Sequence, residues 1–165
     1  MNSSTTAPAR PSRTYATGPL TRVLRGASVL SALAITAWIL RSYPDLPATV
    51  ATHFDARGQA DAWGPRWSVL VLAALMVLLS VGMAALSTRP RWFNYPREVT
   101  ERTAQAVYRE GERLMVWTVL AMQLIYLGIA WSVILGVGMA LIALGVAGLL
   151  GAVSVGIVRV ARAGS

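Results

Sequence analysis

From Leu114 to Val158 the chain runs forty-five consecutive residues without a charged side chain. As one helix this run would be about 68 Å long at a rise of ~1.5 Å per residue, roughly twice the ~30 Å hydrocarbon core of a bilayer. The run therefore predicts two membrane-crossing helices. The break belongs at Gly136-Val137-Gly138, where the backbone turns most easily, giving spans at 114–135 and 137–158. The stretch 68–87 is equally free of charge and long enough to cross. A hydrophobic share of 55% and a mean hydropathy of +0.54 agree with a membrane-embedded chain.

A fourth span is predicted at 23–42. Only the fifteen residues Gly26 to Leu40 are uncharged there, which is short against the ~20 that a bilayer core needs. Snorkelling of Arg25 and Arg41 towards opposite headgroup layers would make up the length. A basic lead before a short apolar region also describes a signal peptide, but Arg41-Ser42-Tyr43-Pro44 does not make a small-x-small cleavage site, so a retained anchor is expected. Residues 1–20, rich in Ser, Thr, Ala and Pro with no acid, read as a disordered basic tail, leaving 21–162 as a single four-helix membrane domain.

Two polar segments separate the spans. Residues 88–113 carry Pro90 and Pro96, and the Asn94-Tyr95-Pro96 turn leads into a helix expected from Glu98 onward. Along it Glu98 with Arg102, Arg109 with Glu112 and Arg113 with Glu110 stand at helical neighbour spacing, the pattern of a solvated helix face. Within the spans, Ser80, Ala84 and Thr88 fall four apart. So do Ala143, Ala147 and Gly151, and Gly148, Ala152 and Gly156, which predicts helices packed along small-residue lanes. Gln123 and Tyr126 are the polar groups most in need of a partner inside the bilayer.

All fifteen basic residues are arginine, and the formal charge is +8. Because they cluster beside apolar runs rather than among stacking aromatics, the partner they suggest is an anionic lipid leaflet and not nucleic acid. Twelve arginines fall in or beside the two terminal segments and 88–113, counting Arg25 at the start of the first span, against three, Arg41, Arg57 and Arg66, at or in the loop 43–67. That bias predicts both termini and 88–113 in the cytoplasm, and the loop outside. With no cysteine there is neither a thiol nucleophile nor a thiolate metal site.

The loop 43–67 is the chemically densest part of the chain, holding the one histidine and three of seven acids. Pro44 and Pro47 stiffen its exit from the first span, Gly58 and Gly64 suggest unusual backbone angles, and Trp63 and Trp67 suit the headgroup layer. His53 with Asp55 and Asp61 offers a weak divalent-cation set at no recognised spacing. His53 beside an aspartate would equally serve as a proton sensor. The simplest role is structural, with His53, Asp61 and Arg66 bonding the loop into one shape. Without a serine or cysteine nucleophile to accompany His53, no enzyme and no cofactor is expected.

The residues Leu46-Pro47, Val50, His53-Phe54, Gly58, Asp61, Gly64 and Arg66, with the later Asn94-Tyr95-Pro96 turn, resemble the domain of unknown function that forms the N-terminal membrane portion of SdpI-type immunity proteins. The resemblance covers roughly residues 23–158, with Arg66 where the pattern usually has lysine. It implies a multi-pass protein of the bacterial inner membrane, in some relatives a protector against a secreted peptide toxin and a signaller that captures a repressor. The reading is therefore an all-α polytopic membrane protein whose outward loop recognises a peptide, lipid or envelope partner. A structural or accessory subunit of a membrane complex is the second reading, and a metal- or proton-dependent carrier the third.

Overall fold

The computed structural model describes residues 10–55, 57 and 59–165. It is a four-helix membrane fold with one addition, a β-hairpin between the first two helices. The order is α1 (Pro19–Ser42), a 3-10 turn (Tyr43–Asp45), β1 (Thr49–Phe54), β2 (Ala60–Pro65), α2 (Ser68–Ser87), a 3-10 turn (Pro90–Trp92), α3 (Ala104–Leu135) and α4 (Met139–Ala163). All four helices are long and apolar enough to cross a bilayer.

The elements follow from local chemistry. Gly136 ends α3 in the left-handed conformation, with φ 74°, where its N–H donates to the Ser132 carbonyl at 3.0 Å. That is the position at which a glycine costs least, and the expected break falls there. The α3–α4 pair then closes until backbones touch. A methyl group added at Gly128 would lie 2.7 Å from the Ile142 nitrogen, and one at Gly145 2.7 Å from the Ile125 nitrogen. On α2 the buried residues Val69, Ala73, Met76, Ser80 and Ser87 recur at three, four and seven, one face of a helix.

The main apolar core lies near the hairpin end of the bundle. Ile35 and Ile39 of α1, Val69, Ala73 and Met76 of α2, and Tyr126 and Ala130 of α3 meet there, with Leu46 and Val50 inserted from the hairpin side. The hairpin is thus rooted in the bundle through two buried side chains. Deeper polar groups are paired across helices: Gln123 Nε2 donates to Ser80 Oγ at 2.8 Å, and the Tyr126 hydroxyl and Thr36 Oγ1 are 2.9 Å apart.

Several expectations are corrected. The first helix starts at Pro19 rather than Val23, the third at Ala104 rather than at Glu98 or Leu114, and the fourth extends to Ala163. Residues 1–9 of the expected tail lie outside the described residues. Residues 10–18, however, form an extended strap along α3, with Pro11, Arg13, Tyr15 and Thr17 turned inward and their neighbours exposed. Its anchors include Tyr108 Oη donating to the Pro11 carbonyl, at 3.0 Å, and reciprocal bonds between Gln105 and residues 12 and 14, at 2.8 and 2.9 Å. Of the two small lanes on α4, Ala143, Ala147 and Gly151 face outward, whereas Gly156 is buried against Leu114. Of the Ser80, Ala84 and Thr88 lane, Ser80 is buried but Thr88, which follows the end of α2, is exposed.

Candidate functional site

The loop expected between the first two spans is a built antiparallel hairpin. Thr49 pairs with Pro65, Val50 with Gly64, Ala51 with Trp63, His53 with Ala62 and Phe54 with Ala60. This register skips Thr52 on one strand and Asp61 on the other, so each strand carries one extra residue. Bulges of this kind re-aim side chains. Here His53 Nδ1 and Asp61 Oδ1 come to 2.5 Å across the hairpin, both well exposed to solvent. Asp55 is committed elsewhere: its Oδ1 accepts from the backbone N–H of Arg57 and of Gln59, each at 2.8 Å, and closes the hairpin tip.

The remaining singled-out residues divide between the hairpin's base and its edge. Arg66 donates to the Leu46 carbonyl at 3.3 Å and lies over the Tyr43 ring, 5.2 Å from its centre, tying the hairpin's exit to its entry. Pro47 is exposed beside the buried Leu46. Gly64 has no left-handed conformation, since Gly136 alone has it among the described residues. Its requirement is closeness instead: an added methyl group would lie 2.8 Å from Thr52 Cγ2 across the strands. Gly58 lies outside the described residues. The expected three-residue bonding set therefore separates into a His53–Asp61 pair on the flank and an Arg66 clasp at the base.

Beside the hairpin is a mainly apolar groove of about 360 Å³. Its floor comes from Val69 and Leu72 of α2, Ile129 and Val133 of α3, and Ile142 of α4, and its upper wall from Ala51, Thr52, His53 and Phe54 of β1. No residue of β2 contributes to it. Ser68 also lines the groove, and no hydrogen bond joins its hydroxyl to His53. Among the described residues no three of His, Asp or Glu gather as a metal set, and Asp55 is parted from His53 and Asp61 by its role in the turn.

At the opposite end of the bundle is a second ordered centre, built on Glu112. Its side chain is buried, accepts hydrogen bonds from Tyr15 Oη at 2.8 Å and Thr17 Oγ1 at 2.7 Å, and is paired with Arg25, with Arg13 at 3.7 Å. Burial, reinforced by the Glu112 bond, pushes the Tyr15 hydroxyl's pKa well above its ordinary value. Two expectations yield to this centre. Arg25 does not snorkel, and Glu112 does not pair with Arg109, whose guanidinium lies over the Tyr15 ring at 5.1 Å. The expected Arg113–Glu110 pair is present at 2.6 Å, and no Glu98–Arg102 ion pair occurs among the described residues. Tyr95 of the Asn94-Tyr95-Pro96 turn packs on Tyr108 and donates to the Pro90 carbonyl at 2.9 Å, over the bare face of Gly111.

Residues 29–77 match the family model described as Domain of unknown function (DUF1648). The matched part is the unit just built, most of α1, the hairpin and the first half of α2, and it is less than half of the chain. The chain is also similar to an uncharacterised protein of Archaeoglobus fulgidus, 30% identical over an aligned length of 89 residues, the alignment covering 47% of this chain and 49% of the relative. It thus spans about half the length of that relative. No solved structure matches the chain.

Proposed function

We propose that this multi-pass membrane protein is a non-enzymatic receptor whose outward hairpin takes an extended peptide alongside β1. The observation that carries the reading is the position of the groove. Four consecutive residues of β1 line it and β2 none, whereas a groove under one face of a regular strand would meet alternate residues only. In a two-stranded sheet the side of β1 away from β2 keeps backbone donors and acceptors that no strand satisfies. An extended peptide can use both features at once, its backbone pairing with the strand edge and every second side chain entering the apolar groove. The resemblance to SdpI-type immunity proteins makes a secreted peptide a fitting partner, and the paired His53 and Asp61 on the flank would meet its polar side chains.

A fluorescent ten-residue peptide of alternating valine and threonine tests this on detergent-solubilised protein. The control is the same peptide N-methylated at alternate amides, which cannot donate to a strand edge. The reading expects the parent to bind at least roughly tenfold tighter than the control, and Leu72→Trp, which fills the groove, to remove most of that difference. Equal binding of the two peptides, or none above empty micelles, rejects it.

A further inference from the structure

The arginines are distributed unevenly over the molecule. Contacts between the strap and residues 88–112, and between Arg97 and Ser165, gather both ends of the described chain at the pole opposite the hairpin. That pole holds twelve arginines against four glutamates, and the hairpin pole three arginines against three aspartates, so the whole formal charge of +8 sits at one end.

Two apolar grooves open at that pole, and they share the same three residues. One, of about 460 Å³, runs between α3 and α4 from a mouth of Arg113, Trp117 and Arg159, with the carboxylate of Glu110 beside Arg113, along Gly151 and Ala152 to Gly148. The other, of about 410 Å³, runs from the same Arg113, Trp117 and Arg159 along Leu20 and Leu24 of α1. Arg159 makes no ion pair or side-chain hydrogen bond among the described residues, and Arg113 makes a single one, to Glu110. A guanidinium offers five N–H donors, so most of this capacity is unused. Trp117 is 50% exposed beside the two cations, a tryptophan placement typical of the headgroup layer.

We infer that these grooves form a binding site for one anionic phospholipid, with its phosphate at Arg113 and Arg159 and an acyl chain in each groove. The shape argues for a lipid with two tails, since two apolar channels converge on one cationic mouth. The length of the α3–α4 groove agrees too. From Gly148 to Arg159 along α4 is about 16 Å at ~1.5 Å per residue, close to half of a ~30 Å bilayer core and so to one leaflet's chain. The charge selects the headgroup, because a basic cluster at the membrane surface favours acidic lipids over zwitterionic ones. This site lies at the far pole from the peptide groove and does not depend on it.

The test uses the full chain purified in a maltoside detergent, with phosphatidylglycerol or phosphatidylcholine of the same acyl chains added and retained lipid counted by native mass spectrometry. The expected result is a preference of roughly tenfold for phosphatidylglycerol. Arg159→Gln brings the ratio near one. Gly151→Leu, whose added side chain meets open space in the protein, lowers retention of both lipids by blocking the channel. Glycerol 3-phosphate leaves the bound lipid in place. The inference is overturned by equal retention of the two lipids, by a ratio indifferent to Arg159→Gln, or by displacement with glycerol 3-phosphate alone, which would mark a site for the free anion. A lipid-free dimer that Gly151→Leu dissolves would overturn it as well, giving the groove to a second copy of the chain.

Discussion

Glu112 shows how much a single carboxylate can organise. Its buried oxygens collect a tyrosine, a threonine and an arginine, joining the strap and α1 to α3. Removing it leaves Arg25, whose side chain is 17% exposed, without its counter-charge, and breaking a buried pair from one side costs about 3–5 kcal/mol. Glu112→Ala is therefore expected to lower the thermal stability of the detergent-solubilised protein steeply, while Glu110→Ala, whose partner Arg113 is 45% exposed and keeps its water when the pair is broken, barely moves it. Tyr15 adds a dependence on pH. Released, its phenol ionises near ~10, and docked it holds its proton to higher pH. Docking is therefore at full strength below about pH 10 and weakens as alkali draws the proton away. A fluorophore on Ser12→Cys, unique in a chain without cysteine, should report release above that pH, and Tyr15→Phe should flatten the response. None of this was legible beforehand. Glu112 reads as one charge in a paired helix face, and its partners, from Arg25 to Arg13, stand 87 to 99 residues away.

The helices were legible and the hairpin was not, for a physical reason. Long uncharged runs announce membrane helices by composition alone, and Gly136 marks the one place where α3 can turn back. A hairpin needs a period of two, and here Thr52 and Asp61 each interrupt it, while the strands are joined by a five-residue tip held by Asp55 instead of a two-residue turn. Residues His53 and Asp61 could be singled out as chemically dense, but their pairing depends on two bulges that no spacing rule reveals. Between helices, the interlock of α3 and α4 predicts an asymmetry. Gly128→Ala drives a methyl group onto the Ile142 backbone, which cannot rotate aside, so a loss of about 1–3 kcal/mol is expected. Gly82→Ala, in open space, should be neutral or slightly stabilising, and thermal melts of the two variants decide. The Gln123–Ser80 bond is a lesser contributor: Ser80→Ala should cost about 0.6 kcal/mol, the average for hydrogen bonds between membrane helices.

Across the whole molecule the two poles differ in charge, one at +8 and the other at zero. Basic segments stay on the cytoplasmic side, so the predicted topology puts the hairpin outside and the strap within. Gln59→Cys at the hairpin tip should react with an impermeant maleimide on intact cells, and Ser12→Cys only after the membrane is opened. The reverse pattern would remove the outward receptor reading. The strap has one more implication, which concerns the order of events during synthesis. Its landing surface on α3 lies some 95 residues downstream, so at a translation rate of about 5–20 residues per second the amino-terminal arm waits roughly 5–20 s for its dock. Throughout that interval Arg10 and Arg13 are unclaimed and free to steer α1 into the bilayer. Once residues 88–112 emerge, Arg10 closes on the Arg91 carbonyl and the Tyr95 ring and Arg13 on the Thr88 carbonyl and Glu112, so that in the predicted topology the charges that set the orientation become the latch that keeps it.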